Sequence, residues 1–295
     1  MLNLIRAEWM KLTKRPLAWV LLAIFLGLLV LQLLTQFAVA NLSGLMGLGS
    51  NNAAFGPQLE EWRRRTVFPG LFGSIFNHIN GLGGILAVIL AAGAMGSEYS
   101  WGTLRTQVAR HPNRVRYLTA KLLALLALLV AAMLVALLLG SAVGVGLAAI
   151  VGGISAPGMD DLAQLPLALL RALYVMLPYV LLSLCFTIVG RSVLVGVAGG
   201  LLYLVLETGF GTLATLRMFG GVWEVIYRLT IQQNINSLLM LNDNTFGLHP
   251  EVLTAINLAQ LPSPLQATLA IALYSASFLA TSLYLLRRRD IGGAA

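Results

Sequence analysis

Long apolar runs separated by short polar segments dominate this chain, and they predict where its helices lie. About twenty apolar residues in a helix cross the hydrocarbon core of a bilayer. Six runs are long enough, which predicts an all-α, polytopic membrane protein with six transmembrane helices in a single domain, residues 1–295. The runs are about 17–37, 74–95, 117–151, 167–189, 193–213 and 265–286.

Residues 1–16 precede the first run and carry an amphipathic pattern. Apolar residues recur there three and four positions apart, with charged residues between them: Leu2, Ile5, Trp9 and Leu12. This pattern predicts an interfacial elbow helix that Pro16 ends or kinks. An ordinary basic segment ahead of the first span is the alternative. The run that follows is longer than the apolar part of a signal peptide, so a retained anchor is expected.

Composition agrees with a membrane location. Of the 295 residues, 58% are hydrophobic and 10% are charged, whereas a soluble domain has about 25% charged residues. The net charge of +8 would suggest a nucleic-acid partner for a soluble protein. Here the basic residues flank apolar runs, so they predict membrane orientation and contact with membrane lipids, with no nucleic acid as a partner.

The positions of the basic residues predict which side each segment faces. Six crossings place four segments on one side, and these hold 13 of the 19 Lys and Arg residues: 1–16, 96–121, 190–192 and 287–295. The positive-inside rule therefore predicts a multi-pass protein of the plasma membrane with both termini in the cytoplasm.

Two segments are then expected on the outer side. The loop 41–72 contains a charged cluster, Glu60–Arg65, which predicts a short surface helix with Trp62 at the level of the lipid headgroups. Residues 214–264 are too polar for a clean span, and we expect them to form short surface or re-entrant helices packed on protein.

The residue types that support metal binding or hydrolysis are not arranged for either. Cys185 is the one cysteine, and the three histidines are far apart along the chain, so neither a disulfide nor a metal site is expected. Intramembrane hydrolysis is disfavoured because no aspartate lies within a span and no Gly-x-Ser-x-Gly run is present.

The basic segment 96–121 has a shape of its own. Trp101, Leu104 and Val108 are spaced three and four apart, which predicts a short helix with one apolar face over 98–109. Ser97 is expected to cap this helix, with Glu98 in its first turn. Pro112 ends it, and Asn113 is positioned to cap the third span. A basic loop bound to lipid headgroups is the simpler alternative.

The segment and its surroundings resemble the permeases of ABC-2 type exporters. The residues that carry the resemblance are Glu98-x3-Gly102-Thr103-x-Arg105, then Pro112-x-Arg114, then Lys121 at the start of a long helix, and Arg6-Ala7-Glu8-Trp9-x-Lys11-Leu12 near the N-terminus. The resemblance covers essentially the whole chain: an elbow helix, six spans, a cytoplasmic coupling loop at 96–116, and a long outer segment before the last span.

The resemblance implies that the short helix is a coupling helix that docks on a partner ATPase. The residues implied in that contact are Glu98, Trp101, Gly102, Thr103, Leu104, Arg105, Val108 and Arg110, with Arg191 in a second, smaller contact. Within this set, Arg105 and Arg110 are candidates for ion pairs across the interface. Glu98 is expected to anchor the loop to the elbow helix or to Lys121.

The source of energy is expected to lie outside this chain. A phosphate-binding loop needs Gly-x4-Gly-Lys followed by Ser or Thr, and the sequence has no such run. No cofactor is therefore expected here, and the resemblance implies that ATP and magnesium bind a separate ATP-binding subunit. Six spans resemble half of a complete permease, which implies a second copy or a similar chain as a further partner. The chain itself is not expected to be an enzyme.

The predicted substrate path is apolar and aromatic. By analogy with such exporters, the second and fifth spans line this path. The candidates for the path or its gate are apolar and aromatic residues of these spans and two charged residues within spans: Phe72, Phe76, Leu201, Tyr203, Glu207, Phe210 and Arg171. The two charges are placed at similar depth. The alternatives to a gate or substrate contact are a structural Arg171–Glu207 pair, or an Arg171 side chain that extends to the membrane interface. The lining favours a drug, lipid or peptide. The competing function is an ATP-independent transporter or a channel.

Overall fold

The computed structural model describes residues 1–45, 56–110, 113–151, 156–212, 221–253 and 261–288, and these ranges are helical apart from short connections. The all-α prediction is confirmed for them. The first six helices are α1 (Leu2–Lys14), α2 (Pro16–Leu45), α3 (Gly56–Arg64), α4 (Gly70–Asn80), α5 (Leu82–Ser100) and α6 (Thr103–Arg110). The next six are α7 (Arg114–Ile150), α8 (Met159–Gly190), α9 (Val193–Thr212), α10 (Gly221–Leu229), α11 (Ile231–Thr245) and α12 (Pro264–Arg288), and a 3₁₀ turn, Pro250–Val252, follows α11.

Five helical segments in the described ranges are long and apolar enough to cross a membrane. They are Pro16–Asn41, Gly70–Ser100, Arg114–Ile150, Met159–Gly190 and Pro264–Arg288. The predicted fifth span corresponds to α9, whose apolar stretch Val193–Glu207 is shorter than the other five. The chain is therefore a polytopic helical membrane protein, and the sixth crossing stays a prediction.

The junction of α1 and α2 shows how proline sets a helix start. Arg15 is extended, with φ −85° and ψ 133°, because the residue before a proline is steered away from the helical region. Pro16 is the first residue of α2, where its missing N–H costs nothing. The N-terminal amphipathic segment is a separate helix, and its Leu12 is buried against α5 and α7.

The second predicted span is longer than expected and is interrupted. In place of residues 74–95, α4 and α5 together run from Gly70 to Ser100 and are broken at Gly81. Gly81 has a ψ of −85°, and its N–H is bonded to the carbonyl of Asn77 at 2.9 Å. The fourth predicted span also begins early, because α8 starts at Met159 and contains Pro166.

The two segments expected on the outer side pack against each other, which differs from the surface helix expected around Trp62. On α3, Glu61 is only 2% exposed and lies 3.3 Å from the Nε of Arg65. Its Oε1 also accepts a hydrogen bond of 3.0 Å from the backbone N–H of His249. The carboxylate therefore joins α3 to the segment after α11, and the cluster is in part a buried contact. The short helices expected within 214–264 are present as α10 and α11.

Glycines allow the long helices to approach closely, as is usual where helices meet in a bilayer. On α7, a Cβ at Gly140 or Gly144 would overlap Ile75 or Leu71 of α4. At the other end of the bundle, a Cβ at Gly96 would lie 2.6 Å from the backbone N and Cα of Val193, where α9 begins. A backbone cannot move aside as a side chain can, so this last contact requires glycine.

We expect Gly96→Ala to destabilise the protein and Gly84→Ala, on the same helix, to leave it unchanged or slightly more stable. The added methyl group at residue 96 overlaps backbone, and overpacking of this kind costs about 1–3 kcal/mol. At Gly84 no atom lies within 4 Å of the added Cβ. Thermal unfolding of the two purified variants in one detergent measures the difference. Equal midpoints would show that α5 and α9 are not in close contact.

Candidate functional site

Four charged side chains meet between α1, the end of α5 and the start of α7, and we call this group the charge lock: Glu8, Lys11, Glu98 and Lys121. The Nζ of Lys121 lies 2.7 Å from Glu8 and 2.9 Å from Glu98, and it also donates to the carbonyl of Ala94 at 3.2 Å. Lys11 donates to Glu8 and lies 3.2 Å from Glu98. Two positive and two negative charges therefore balance within one cluster.

The charge lock is almost completely removed from water. Glu8 and Glu98 are each 1% exposed and Lys121 is 2% exposed, while the side chain of Lys11 is 29% exposed. Burying charges is costly unless they are paired and their remaining hydrogen-bonding capacity is used. Lys121 meets this condition, because its three donors have three acceptors.

Glu8 is held in its charged form by its neighbours. Burial by itself raises the pKa of this carboxyl, but the ammonium groups of Lys121 and Lys11 oppose burial and hold the pKa of Glu8 below its ordinary value of 4.5. A carboxyl whose pKa is lower in the folded state contributes stability above its unfolded pKa. This contribution is therefore present at neutral pH and is lost as the pH falls below about 4.5.

Further contacts surround the charge lock and connect the same helices. The hydroxyl of Tyr117 donates to Glu98, and Arg15 donates to Ser97 at 2.5 Å and lies 4.9 Å from the centre of the Trp101 ring. Glu98 thus contacts both α1 and Lys121, which are the two anchors expected for it. The ends of α1, α5 and α7 are fixed relative to one another.

The predicted coupling helix begins later than expected. Ser97 and Glu98 belong to the last turn of α5, and α6 starts at Thr103; the prediction that Ser97 caps it is wrong. The hydroxyl of Ser97 instead donates to the carbonyl of Gly93, one turn earlier. The direction of the chain changes at Gly102, which has a φ of +67°, a value that glycine adopts without strain.

The apolar face expected on this helix is divided. Trp101 lies in the turn and is 65% exposed, whereas Leu104 is 2% exposed and packs with Met95 and Leu118. Asn113 caps α7 as predicted, because its Oδ1 accepts from the backbone N–H of Arg116 at 3.1 Å. The predictions for Pro112 and for the side chains of Arg105, Val108 and Arg110 lie outside the described part of the chain.

The turn between α8 and α9 lies beside the same end of the bundle. Arg191 is exposed there in the left-handed conformation, with φ 50°. The helix that follows begins at Val193, which is in contact with Gly96. The two segments predicted to touch a partner are therefore neighbours on one face of the molecule.

A second polar cluster lies where α8, α9 and α11 meet. Glu207 is 7% exposed, and its Oε2 accepts a hydrogen bond of 2.6 Å from the hydroxyl of Tyr179. Its Oε1 accepts from the backbone N–H of Ile231, the first residue of α11. The N-terminus of a helix carries free N–H groups and a partial positive charge, which suit a carboxylate.

Glu207 is not paired with Arg171, so the structural pair considered as an alternative to a gate is absent. Arg171 instead donates to the side chain of Asn242 on α11 at 3.4 Å. The reason is the position of α11, which lies against both α8 and α9 and supplies one partner to each charge. Neither the Asn242 side chain nor the Ile231 N–H is charged, so the sequence offered no residue of opposite charge from which these two contacts could be predicted.

A cavity of about 280 Å³ lies next to this cluster, between α4, α5, α8, α9 and α11. Apolar residues such as Ile85 and Val175 form part of its wall, together with polar side chains: Asn77, Asn80, Tyr179 and Gln232. The Oδ1 of Asn80 is buried without a hydrogen-bond partner among the described residues. A mixed wall of this kind suits a small amphipathic molecule.

The residues predicted to line a substrate path do not form one wall. Phe72 and Phe76 are 3% and 1% exposed, and both rings lie within 6 Å of the ring of Phe246 in a packed core. Leu201 and Tyr203 pack instead with the core that contains Tyr179. The side chain of Phe210 lies outside the described part.

Two residues of the cluster around Glu207 were missed because their importance depends on tertiary contacts. Tyr179 lies inside an apolar run, directly after Pro178. Its hydroxyl within a predicted span was the signal that could have identified it, because a buried tyrosine hydroxyl usually has a hydrogen-bond partner. Gln232 lay in a segment predicted only as short helices. In the described ranges no three His, Cys, Asp or Glu side chains come together in a way that would hold a metal ion.

Comparison with known proteins defines a family. Residues 46–292 match the family described as "Protein of unknown function (DUF2705)". The chain belongs to the DUF2705 family. Searches of curated proteins and of solved structures gave no match. Glu98, Lys121 and Glu207 lie inside the range shared with the DUF2705 family, while Glu8 and Lys11 precede it.

We expect Lys121→Met to destabilise this DUF2705 protein by about 3–5 kcal/mol, because two buried carboxylates would then share one lysine. The double variant Lys121→Met with Glu98→Gln should lose less than the sum of the single losses, since one positive and one negative charge remain. Thermal unfolding in detergent measures all three variants.

The matched control is Glu60→Gln. Glu60 and Arg64 are 3.7 Å apart with side chains 56% and 46% exposed, and an exposed pair contributes about 0–1 kcal/mol. A loss for Lys121→Met no larger than that of the control would contradict an energetic role for the charge lock.

Proposed function

We propose that this chain is the transmembrane permease subunit of an ATP-driven exporter of the ABC-2 type. The observation that carries the proposal is α6, a short helix held between two long apolar helices beside a buried charge lock. The order of elements adds support, since an amphipathic helix precedes the first span and two short helices precede the last. The sequence motifs around Glu98 and Lys121 supply the resemblance to this class.

The geometry suggests how force would pass from a partner to the membrane. A subunit pressing on α6 would act on the end of α5 through the turn at Gly102, and on the start of α7 close to Asn113. The charge lock joins these ends to α1, so α1, α5 and α7 would move as a unit. Flexible connections would absorb the motion, whereas buried, paired charges transmit it.

The energy for transport would come from the partner. An ATP-binding subunit would carry ATP and magnesium, and its closure on nucleotide would draw the cytoplasmic ends of two permease copies together. That motion would open a path outward, and hydrolysis would reset it. The substrate class that we propose is a hydrophobic or amphipathic drug, lipid or peptide, in keeping with the mixed wall of the cavity beside Tyr179.

An ATP-independent transporter or channel is the competing function. It would use the same spans but would need no partner at α6. The two functions differ in whether transport by the purified chain requires an ATP-binding subunit, so reconstitution with and without that subunit separates them.

Orientation is tested with single-cysteine variants in a Cys185→Ala background. We expect Met159→Cys, at the start of α8, to react with a membrane-impermeant thiol reagent in intact cells. Thr106→Cys, on α6, should react only after the membrane is opened. Both positions are exposed and lie at opposite ends of α7. The reverse labelling pattern would place α6 outside and would remove the basis for coupling.

The partner is tested with the same two variants. A photoactivatable cross-linker on Thr106→Cys should capture an ATP-binding subunit in native membranes, whereas the same reagent on Met159→Cys should not. Arg105→Glu should then reduce transport at least tenfold while ATP hydrolysis continues, since a charge reversed at the contact breaks coupling. Absence of an ATPase from the Thr106→Cys product, with efficient labelling, would contradict the proposal.

A further inference from the structure

A second cavity lies at the end of the molecule that holds the charge lock. Its volume is about 260 Å³, and it lies between α1, α2, α5 and α7, with Met176 of α8 at its base. Thr13 of α1 and Trp19 of α2 both line the cavity and are joined by a hydrogen bond, and we call this part of the wall the mouth. The wall is nearly all apolar, with residues such as Leu22, Leu86 and Ala132.

The chemistry of the wall limits what can fill it. Among its described lining residues Thr13 alone carries a hydroxyl, and that hydroxyl donates to the carbonyl of Trp9 at 3.0 Å. The indole N–H of Trp19 donates to the carbonyl of Thr13 at 2.7 Å. These polar groups are satisfied within the chain, so an occupant of the cavity has to be apolar. A peptide segment would bring N–H and C=O groups that find no partner there.

The cavity extends along the axes of α5 and α7. Its wall on α5 runs from Leu90 to Gly83 and its wall on α7 from Leu128 to Val135, eight residues in each case, which is about 10 Å at the helical rise. The cavity therefore enters the hydrocarbon region from the membrane surface. This direction is that of a lipid acyl chain.

Basic residues lie at the mouth. Lys14 directly follows Thr13, and Arg6 lies two helical turns before Thr13 on the same face of α1. Both are exposed, and neither belongs to the charge lock. On an amphipathic helix at the membrane surface, such residues attract anionic lipid headgroups. Trp9 and Trp19 also suit a position at the membrane surface, because indole rings favour the membrane interface.

We propose that this cavity holds one acyl chain of an anionic phospholipid whose phosphate lies against Lys14 and Arg6. The bound lipid would fill the space between α2 and the α5–α7 pair and would hold α1 on the membrane surface. The site differs from the outer cavity beside Tyr179 in place and chemistry, and it does not depend on the transport function proposed above.

The test is native mass spectrometry of the full-length protein, purified in mild detergent and supplied with phosphatidylglycerol or phosphatidylcholine. The wild-type chain should keep one phosphatidylglycerol molecule and should prefer it roughly tenfold, since each nearby cation adds to the attraction. Ala132→Phe fills the cavity and should remove this lipid. Ala127→Phe, exposed on the same helix and outside the wall, should retain it.

A second pair of variants tests the headgroup. Arg6→Gln with Lys14→Gln should abolish the preference for phosphatidylglycerol while one lipid of either kind is still bound. Arg287→Gln removes an exposed cation at the end of α12 and should leave the preference intact. If Ala132→Phe fails to fold, Ala131→Leu fills part of the same wall with a smaller side chain and serves in its place.

Three results would overturn the proposal. Equal lipid retention by wild type, the cavity-filling variant and Ala127→Phe would show that only annular lipid is bound. An unchanged preference in the double variant would show that Lys14 and Arg6 do not hold the phosphate. A second copy of the chain covering the cavity would appear as a dimer with no retained lipid, and this too would refute the site.

Discussion

A buried, charge-balanced cluster at one end of the bundle is the interaction on which the rest of this structure depends. Two carboxylates and the ammonium group of Lys121 are removed from water together, with the partly exposed Lys11 completing the charge balance, and the buried charges are stable there only while they are paired. Removing such charges from water raises the free energy unless they are paired, so the three helices adopt the arrangement in which the charges pair. The positions of α6, which follows α5, and of α2, which follows α1, are consequences.

The opposite end solves the same problem without a cation. Glu207 lies at the N-terminus of α11. Backbone N–H groups and the hydroxyl of Tyr179 donate hydrogen bonds to its carboxylate, as lysine does to the carboxylates of the charge lock. This arrangement requires α11 to fold back against α8 and α9. The fold-back leaves a cavity with a mixed polar and apolar wall near the break at Gly81, so this cavity results from the way in which the Glu207 carboxylate is hydrogen-bonded.

These two ends bear on function in different ways. Membership of the DUF2705 family assigns no activity, so the functional proposal depends on geometry and on resemblance. The end with the charge lock is held by buried ion pairs, carries α6 and has exposed basic residues, which suits contact with a partner and with anionic lipid. The other end has the cavity beside Tyr179, and the groups that contact Glu207 and Arg171 there are neutral. This combination suits a small ligand. In a transport cycle, motion at the end with the charge lock would have to reach the cavity at the other end.

Local chemistry was readable from the sequence, and long-range pairing was not. The apolar runs, the amphipathic first helix and the cap at Asn113 depend on neighbours a few residues away, so the sequence alone determined them. Glu98 was expected to contact the elbow helix or Lys121, and it contacts both. Ser97 was misassigned because tertiary contacts extend α5 past it. The separation of Arg171 from Glu207 and the burial of Phe72 were decided by α11 and Phe246, which arrive from more than a hundred residues away in the case of Phe72, and no local pattern records such a contact.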